Sequence, residues 1–130
     1  MANGHKLTPA EWELMESIWT LGGSPSVREV MEHAYPNGEK AYTTVQTLMN
    51  VLEKKGLLTR IKIGLVNFYT PTRGRDELVR NETSSLISRL FSGSAPALAN
   101  FLIDEEDLSL DDIQKIKALL DEKEQQLKGK

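Results

Sequence analysis

Residues 41–71, AYTTVQTLMNVLEKKGLLTRIKIGLVNFYTP, change hydrophobic period halfway along. In the first part the apolar side chains recur at helical spacing. They are Val45, Leu48, Met49 and Leu52. After Gly56 apolar and polar residues alternate on both sides of Gly64, which predicts a β-hairpin that turns there and closes at Pro71. The stretch therefore predicts a helix that runs to Lys55, followed by two strands.

Two more helices are predicted upstream. Residues 7–23, LTPAEWELMESIWTLGG, offer Thr8 as an N-cap, a proline in the first turn, and a terminal glycine pair. Residues 24–36, SPSVREVMEHAYP, begin with a capping box of Ser26 and Glu29 and end at a proline. Three helices and a hairpin, with a short turn between the second and third helices, indicate a winged helix-turn-helix.

The third helix carries short neutral polar side chains where a solvated helix surface usually carries Glu, Lys and Arg. Thr can offer a hydroxyl and a methyl group to base edges in the major groove, and Gln can bond adenine with both amide atoms. The N-terminal turns of a recognition helix reach the bases. The predicted base contacts are Tyr42, Thr43, Thr44, Gln46 and Thr47. Alternatively, Thr43 serves only as a cap of the helix, and the other threonines are ordinary surface residues. In both interpretations we expect Thr43 to cap the helix.

Charge is distributed unevenly along the chain, whose net charge is −3. Residues 40–75 hold seven basic groups and one acidic group, a net charge of +6, whereas residues 76–130 hold seven basic and twelve acidic groups, a net charge of −5. This asymmetry indicates either a localised basic surface or an ordinary fluctuation. The predicted phosphate contacts, which would position the protein without reading sequence, are Arg28, Lys40, Lys54, Lys55, Arg60 and Lys62. Arg28 is equally interpretable as a solvated first-turn residue.

The region from residue 74 to 130 is predicted to be helical, after a DNA-binding domain of residues 1–73. Its helices are amphipathic, and Ser109 with Asp112 predicts another capping box. About fifty residues are too few for an independent core, so we expect the apolar sides to be buried against a second copy of the chain. The predicted dimerisation residues are Leu86, Leu90, Phe91, Phe101, Ile113, Ile116 and Leu120. The predicted fold class is mainly α with a small β-hairpin.

Several functional classes are disfavoured. The chain has no cysteine and no apolar run of the roughly eighteen residues that a membrane helix needs, so we expect a soluble, cytoplasmic protein. The two histidines, His5 and His33, lack metal-ligand spacing, and no enzymatic activity, metal or cofactor is expected. The alternative function is a winged-helix module for protein interaction without specific DNA binding. Such a module would show apolar residues on the exposed side of the third helix.

The chain resembles the penicillinase repressor (BlaI/MecI/CopY) family from Leu7 to about Leu120. The segments that carry the resemblance are LTPAEWELMESIW, VREV, AYTTVQTLMNVLEKKGLL, FYTP and LFSGSAPALANFLIDEEDLS. The resemblance implies a homodimeric winged-helix repressor that binds double-stranded DNA at an inverted-repeat operator. The sequence departs from the family pattern at Val51, where Arg is frequent, and at Ile63 and Leu65, where basic or polar wing residues are common. Fewer phosphate contacts would follow, or these wing residues would pack or insert apolar surface.

The resemblance also implies a trigger. The β-lactam-responsive members are cleaved at an Asn-Phe bond in the dimerisation region, under control of a membrane-bound sensor metalloprotease, and Asn100-Phe101 occupies the matching place. Alternatively, Phe101 is simply a core residue. The copper-responsive members carry paired cysteines near the C-terminus, and their absence here excludes a thiolate copper switch.

Overall fold

The computed structural model describes residues 7–105 and 107–129, which are mainly helical. The elements follow in the order α1 (Pro9–Leu21), α2 (Val27–Ala34), α3 (Tyr42–Lys54), β1 (Leu58–Ile63), β2 (Val66–Pro71), α4 (Arg75–Phe91), α5 (Ala95–Glu105) and α6 (Leu110–Lys128). This order confirms the predicted fold class, a winged helix-turn-helix followed by further helices.

Capping boxes begin three of these helices. In each box a hydroxyl accepts a hydrogen bond from a backbone amide three residues later, and the carboxylate there accepts one from the amide of the cap residue. The pairs are Thr8 with Glu11, Ser26 with Glu29, and Ser109 with Asp112. The predicted cap at Thr8 and the two predicted boxes are therefore confirmed.

Helix α3 begins without a side-chain cap. Its N-cap residue is Ala41, whose extended backbone has φ −73° and ψ 154°, and Thr43 lies inside the first turn. A hydroxyl caps a helix from the N-cap position, where the backbone is still extended. The prediction that Thr43 caps this helix is therefore wrong.

The hairpin is a regular antiparallel pair. Ile63 lies opposite Val66 in the last pair before the turn. The turn itself consists of Gly64 and Leu65, and only the glycine of these two has a positive φ, of 63°. This combination is the II′ turn, whose twist matches that of the strands. The predicted turn at Gly64 is confirmed.

The core of the first part of the chain lies between α1, α2, α3 and the base of the hairpin. Its largest fully buried side chains are Tyr69, Leu14, Met15, Ile18, Met49, Leu52, Leu58, Val30 and Val45. Three of the four apolar residues predicted to hold α3 are in this set, and Leu48 packs against it partly buried. One side of α3 is thus turned inward along its whole length.

The chain divides into two compact units, the first extending through Ser84 and the second beginning at Ser85. Neither α5 nor α6 contains a buried residue. The functional boundary predicted after Arg73, where the hairpin has ended, stays a prediction.

Among the described helices none alone is long and apolar enough to span a membrane. Helices α4 and α5 taken together, across the 83° bend between them, meet the length and composition criteria for a membrane span.

A buried ion pair joins the start of α1 to the end of α3. Glu11 is 4% exposed, and its Oε1 lies 2.6 Å from Lys55 Nζ. Burial raises the pKa of Glu11, but the hydrogen bonds from Lys55 and from the Thr8 backbone outweigh burial and hold this pKa below its ordinary value of 4.5. The pair therefore stabilises the fold above the ordinary pKa, and this contribution disappears as the pH falls through the folded-state pKa.

Replacing Lys55 with Met should lower the free energy of unfolding by about 2 kcal/mol at pH 7, because the Glu11 carboxylate would stay buried without its cation. Urea unfolding followed by tryptophan fluorescence measures this unit, since both tryptophans, Trp12 and Trp19, lie on α1. The matched control is Lys54→Met at the exposed neighbour, which should change stability by less than about 0.5 kcal/mol. The difference between the two variants should shrink in acid, where Glu11 is protonated. Equal stability of the variants at pH 7 would contradict the role of the pair.

Candidate nucleic-acid interface

The N-terminal half of α3 forms an exposed polar surface. Thr43, Thr44 and Thr47 are exposed, Gln46 is half-buried, and Tyr42 is 41% exposed. The five residues predicted to contact bases therefore lie on the solvent side of one helix. Their contact with bases stays a prediction.

Two cations near the start of α3 each lie over an aromatic ring, and one of them, Arg28, shares a groove with Tyr42 and Gln46. The guanidinium carbon of Arg28, on α2, lies 5.8 Å from the ring centroid of Tyr42. Lys40 Nζ, in the turn before α3, lies 5.4 Å from the ring centroid of Tyr35. Such cation–π contacts hold a charge in place while leaving it partly hydrated. Arg28 is thus placed at the edge of the exposed side of α3.

A groove of about 460 Å³ runs between the start of α2, the start of α3 and the turn of the hairpin. It is lined by Ser26, Val27, Arg28, Tyr42, Gln46, Leu65, Val66 and Asn67. The tip of the hairpin and the polar side of α3 are therefore neighbours on one surface.

The hairpin is attached to α3 by a hydrogen bond that the sequence did not reveal. The fully buried Tyr69 donates its hydroxyl to Asn50 Oδ1 at 3.2 Å. Burial raises the pKa of Tyr69, so the phenol remains a donor. Asn50 is on the polar side of α3, one turn after Gln46. In the sequence, its greater distance from the start of the helix sets it apart from the predicted base contacts, which lie in the N-terminal turns. Its task here is to position the hairpin.

The hairpin and the residues just after it are also attached to the segment before α2 and to α1. The Tyr69 backbone amide donates to the Pro25 carbonyl at 2.9 Å, so the segment before α2 pairs with β2. Trp19 Nε1 donates to the Arg73 carbonyl at 2.9 Å, just after β2. Arg75, at the start of α4, places Nε 2.9 Å from Glu16 on α1. These contacts fix the hairpin to the helices that frame α3.

Part of the basic excess is neutralised within the fold. Lys55 forms an ion pair with Glu11, which leaves its charge less available for a phosphate. Arg60 Nε lies 3.6 Å from Glu53 Oε2, but its side chain is still partly exposed and it remains a candidate. Lys54 and Lys62 are exposed, and no ion pair involves either of them within residues 7–105 and 107–129. The cations that remain for phosphates are fewer than their number in the sequence suggests.

The turn of the hairpin is apolar and exposed. Ile63 is 65% exposed and Leu65 is 94% exposed. The sequence left open whether these residues pack or insert, and their exposure shows that neither is packed into the described fold.

His33, the histidine within the described residues, lies beside a hydroxyl and not in a metal site. His33 Nδ1 lies 3.0 Å from the Ser17 hydroxyl, and His5 lies outside the described residues. Within the part of the chain that the structure describes, no cluster of three or more His, Cys, Asp or Glu is placed to hold a metal ion.

The residues predicted for dimerisation lie on α4, α5 and α6 with their apolar surface largely uncovered. Leu86, Leu90, Phe101, Ile113, Ile116 and Leu120 are exposed, and Phe91 is half-buried. The rings of Phe91 and Phe101 contact each other with centroids 5.9 Å apart. Asn100 is exposed in the middle of α5. Burial against a second copy and cleavage after Asn100 both stay predictions.

The sequence of the chain matches a family profile and several known proteins. A profile of the penicillinase repressor family matches residues 7–122. The chain is 34% identical over 118 residues to an uncharacterized 16.5 kDa protein in the ptsI 3' region of Latilactobacillus sakei, covering 91% of this chain and 80% of that protein. It is 25% identical over 119 residues to the methicillin resistance regulatory protein MecI of Staphylococcus aureus, covering 92% and 96%. It is 37% identical over 79 residues to the transcriptional regulator BlaI of Mycobacterium tuberculosis, covering 61% and 57%. A MarR family protein from Bacillus stearothermophilus is a structural neighbour with TM-score 0.49 and 16% identity, covering 96% of this chain and 78% of that one.

Proposed function

The chain belongs to the penicillinase repressor family and is a transcriptional repressor of the BlaI/MecI type, and from this premise we propose that it acts in the cytoplasm as a homodimer on an inverted-repeat DNA operator. The observation that carries the proposal is the exposed, uncharged polar surface on the N-terminal half of α3.

The chemistry of this surface suits base reading. Thr43, Thr44 and Thr47 offer hydroxyls and methyl groups, and Gln46 offers a paired donor and acceptor, which match the patterns of the major groove. None of them carries a charge that would bind every sequence equally well. A surface for binding another protein would be expected to be apolar here, and the exposed side of α3 has Thr instead. The polar surface therefore supports DNA binding over an interaction module without specific DNA binding.

Cations and backbone amides lie near the polar surface formed by Tyr42, Thr43, Thr44, Gln46 and Thr47, which we call the reading surface. Arg28 and Lys40 stand beside the start of α3, and Lys54 and Lys62 are exposed near its end and on the hairpin. The start of α3 has no side-chain cap, so its first amides can donate to a phosphate. These contacts would set the register of the helix on the duplex.

Thr47→Ala and Gln46→Ala should each weaken binding to a duplex selected from random DNA by the purified protein, by about 1–3 kcal/mol, because each removes a base contact. Binding to a scrambled duplex should barely change. Fluorescence anisotropy at fixed salt measures both affinities. Thr20→Ala, an exposed threonine on α1 outside the helix-turn-helix, is the matched control and should leave both unchanged. Equal losses on the two duplexes would contradict base reading.

Dimerisation is proposed from the uncovered apolar surface of the second unit. Residues Ile113, Ile116 and Leu120 recur on one side of α6, and all are exposed in the single chain. An apolar stripe of this length on a soluble protein marks an interaction surface. A second copy offers the same stripe, and a two-fold pair of helices α3 suits the two halves of an inverted repeat.

Ile116→Asp should raise the dimer dissociation constant about 30-fold or more, because a carboxylate would be buried without a partner. Sedimentation over a range of concentrations measures the change. Gln114→Asp adds the same charge on the opposite side of α6 and should leave the dimer intact. A monomeric parent protein, or equal behaviour of the two variants, would defeat the proposal.

Inactivation by proteolysis is proposed at the Asn100-Phe101 bond, by a membrane-bound sensor metalloprotease. The bond lies within α5, which has no buried residue and therefore little to resist local unwinding. A cut there would separate α6 from the DNA-binding domain. Two half-site contacts that were linked would then act singly, and the gain from bivalent binding would be lost.

Co-expression with a sensor metalloprotease of this type and its inducer should yield a fragment that ends at Asn100, identified by mass spectrometry. The control is the same protease with its catalytic glutamate replaced, which should leave the chain whole. Derepression of a reporter while the chain stays intact would rule this trigger out.

A further inference from the structure

The hairpin has two chemically different sides. Because β1 and β2 pair with Ile61 opposite Phe68 and Ile63 opposite Val66, these four apolar residues share one side. The other side carries Arg60, Lys62, Asn67 and Tyr69. At the tip stands Leu65, whose side chain is almost entirely exposed. A turn usually carries polar residues, so this exposed leucine requires a reason.

The apolar tip is continuous with the reading surface. Leu65 and Val66 line the same groove as Gln46 and Tyr42 of α3 and Arg28 of α2. If α3 lies in the major groove, as proposed above, the tip is held beside it on the side of the molecule that faces the duplex. The duplex is thus the occupant that this position favours.

The tip is poorly suited to phosphates. From Ile61 to Asn67 the one charged residue is Lys62, and it lies on the opposite side from Ile63 and Val66. Binding along the backbone depends on several cations that release counterions. Leu and Ile, in contrast, are side chains that insert between base steps from the minor groove and partly unstack them.

We propose that Leu65, supported by Ile63 and Val66, inserts as an apolar wedge into the minor groove next to the major-groove site of α3. This inference rests on the proposed function, because α3 must first place the tip against the duplex. Two consequences follow. The wedge adds affinity that does not depend on salt, and it favours a deformable pyrimidine–purine step beneath the tip, a preference that arises without any hydrogen bond to a base.

The affinity test uses the full chain, the duplex selected from random DNA and a scrambled duplex of equal length. Leu65→Ser should weaken binding to the selected duplex about tenfold, equivalent to about 1.4 kcal/mol, without changing the slope of log affinity against log salt. Leu65→Met, which keeps an apolar side chain of similar size, should bind like the parent. Leu65→Lys should steepen the slope by about 0.9, because it adds one phosphate contact.

The wedge itself is detected with 2-aminopurine in the pyrimidine–purine steps that flank each half-site. Unstacking should raise its fluorescence when the parent protein or Leu65→Met binds, and Leu65→Ser should leave it unchanged at saturation. Because Leu65 makes no buried contact in the fold, these variants should unfold at the same urea concentration as the parent, which tryptophan fluorescence verifies.

The outcomes separate the two proposals. A parent protein that does not distinguish the selected from the scrambled duplex overturns the proposed function and the wedge together. A parent that distinguishes them, with Leu65→Ser equal to it in affinity and in 2-aminopurine fluorescence, overturns the wedge alone. A lower sedimentation mass of DNA-free Leu65→Ser, with unchanged DNA affinity, assigns the tip to a contact between copies and also overturns the wedge.

Discussion

The burial of one side of α3 is the constraint on which the rest of the structure depends. Val45, Met49 and Leu52 are fully buried. Their spacing places all three on one side of the helix, and burying that side fixes the rotation of α3 about its own axis. That rotation turns Thr43, Thr44 and Thr47 to solvent. The same apolar contacts that stabilise the fold therefore decide which residues of α3 are exposed, and so which are available for the proposed contact with DNA. The Glu11–Lys55 pair adds a second attachment at the far end of α3.

The hairpin extends this surface rather than standing apart from it. The bond from Tyr69 to Asn50 and the pairing of β2 with the segment before α2 hold the strands against the helices. The tip, which has one charged residue and an exposed Leu65, is consequently carried beside the start of α3. Since Lys55 serves the fold and Arg60 is close to Glu53, recognition by this chain would depend less on phosphates and more on neutral contacts than the local charge of +6 suggests.

The C-terminal helices suit a different task. Their exposed apolar residues need a partner, and a second copy would supply one while setting the distance between two α3 helices. We propose that the repressor is switched at the linkage between its two half-site contacts and not at the DNA contacts themselves, because separate half-sites would bind far more weakly than a linked pair. In the chain, α5 lies between the proposed DNA-binding domain and α6. One cut within α5 would therefore affect both dimerisation and DNA binding.

The amino-acid sequence by itself determined the features that depend on near neighbours. The capping boxes at Ser26 and Ser109, the turn at Gly64 and the helical spacing of Val45, Met49 and Leu52 involve residues at most a few positions apart, and each was predicted correctly. The exposure of the polar side of α3 followed from the same periodicity. The cap expected at Thr43 was wrong because the N-cap residue of α3 is Ala41, two residues earlier, so that Thr43 already lies inside the first turn.

Only the tertiary structure decided which partners distant residues would meet. Lys55 looked like a phosphate contact in the sequence, but folding places it 2.6 Å from a carboxylate 44 residues away. Asn50 accepts a hydrogen bond from Tyr69, and the exposed Leu65 lies beside Gln46, because the packing of the hairpin against α2 and α3 sets these positions. Periodicity shows which side of an element is apolar; it carries no information on what that side, or the charge beside it, will touch once the chain has folded.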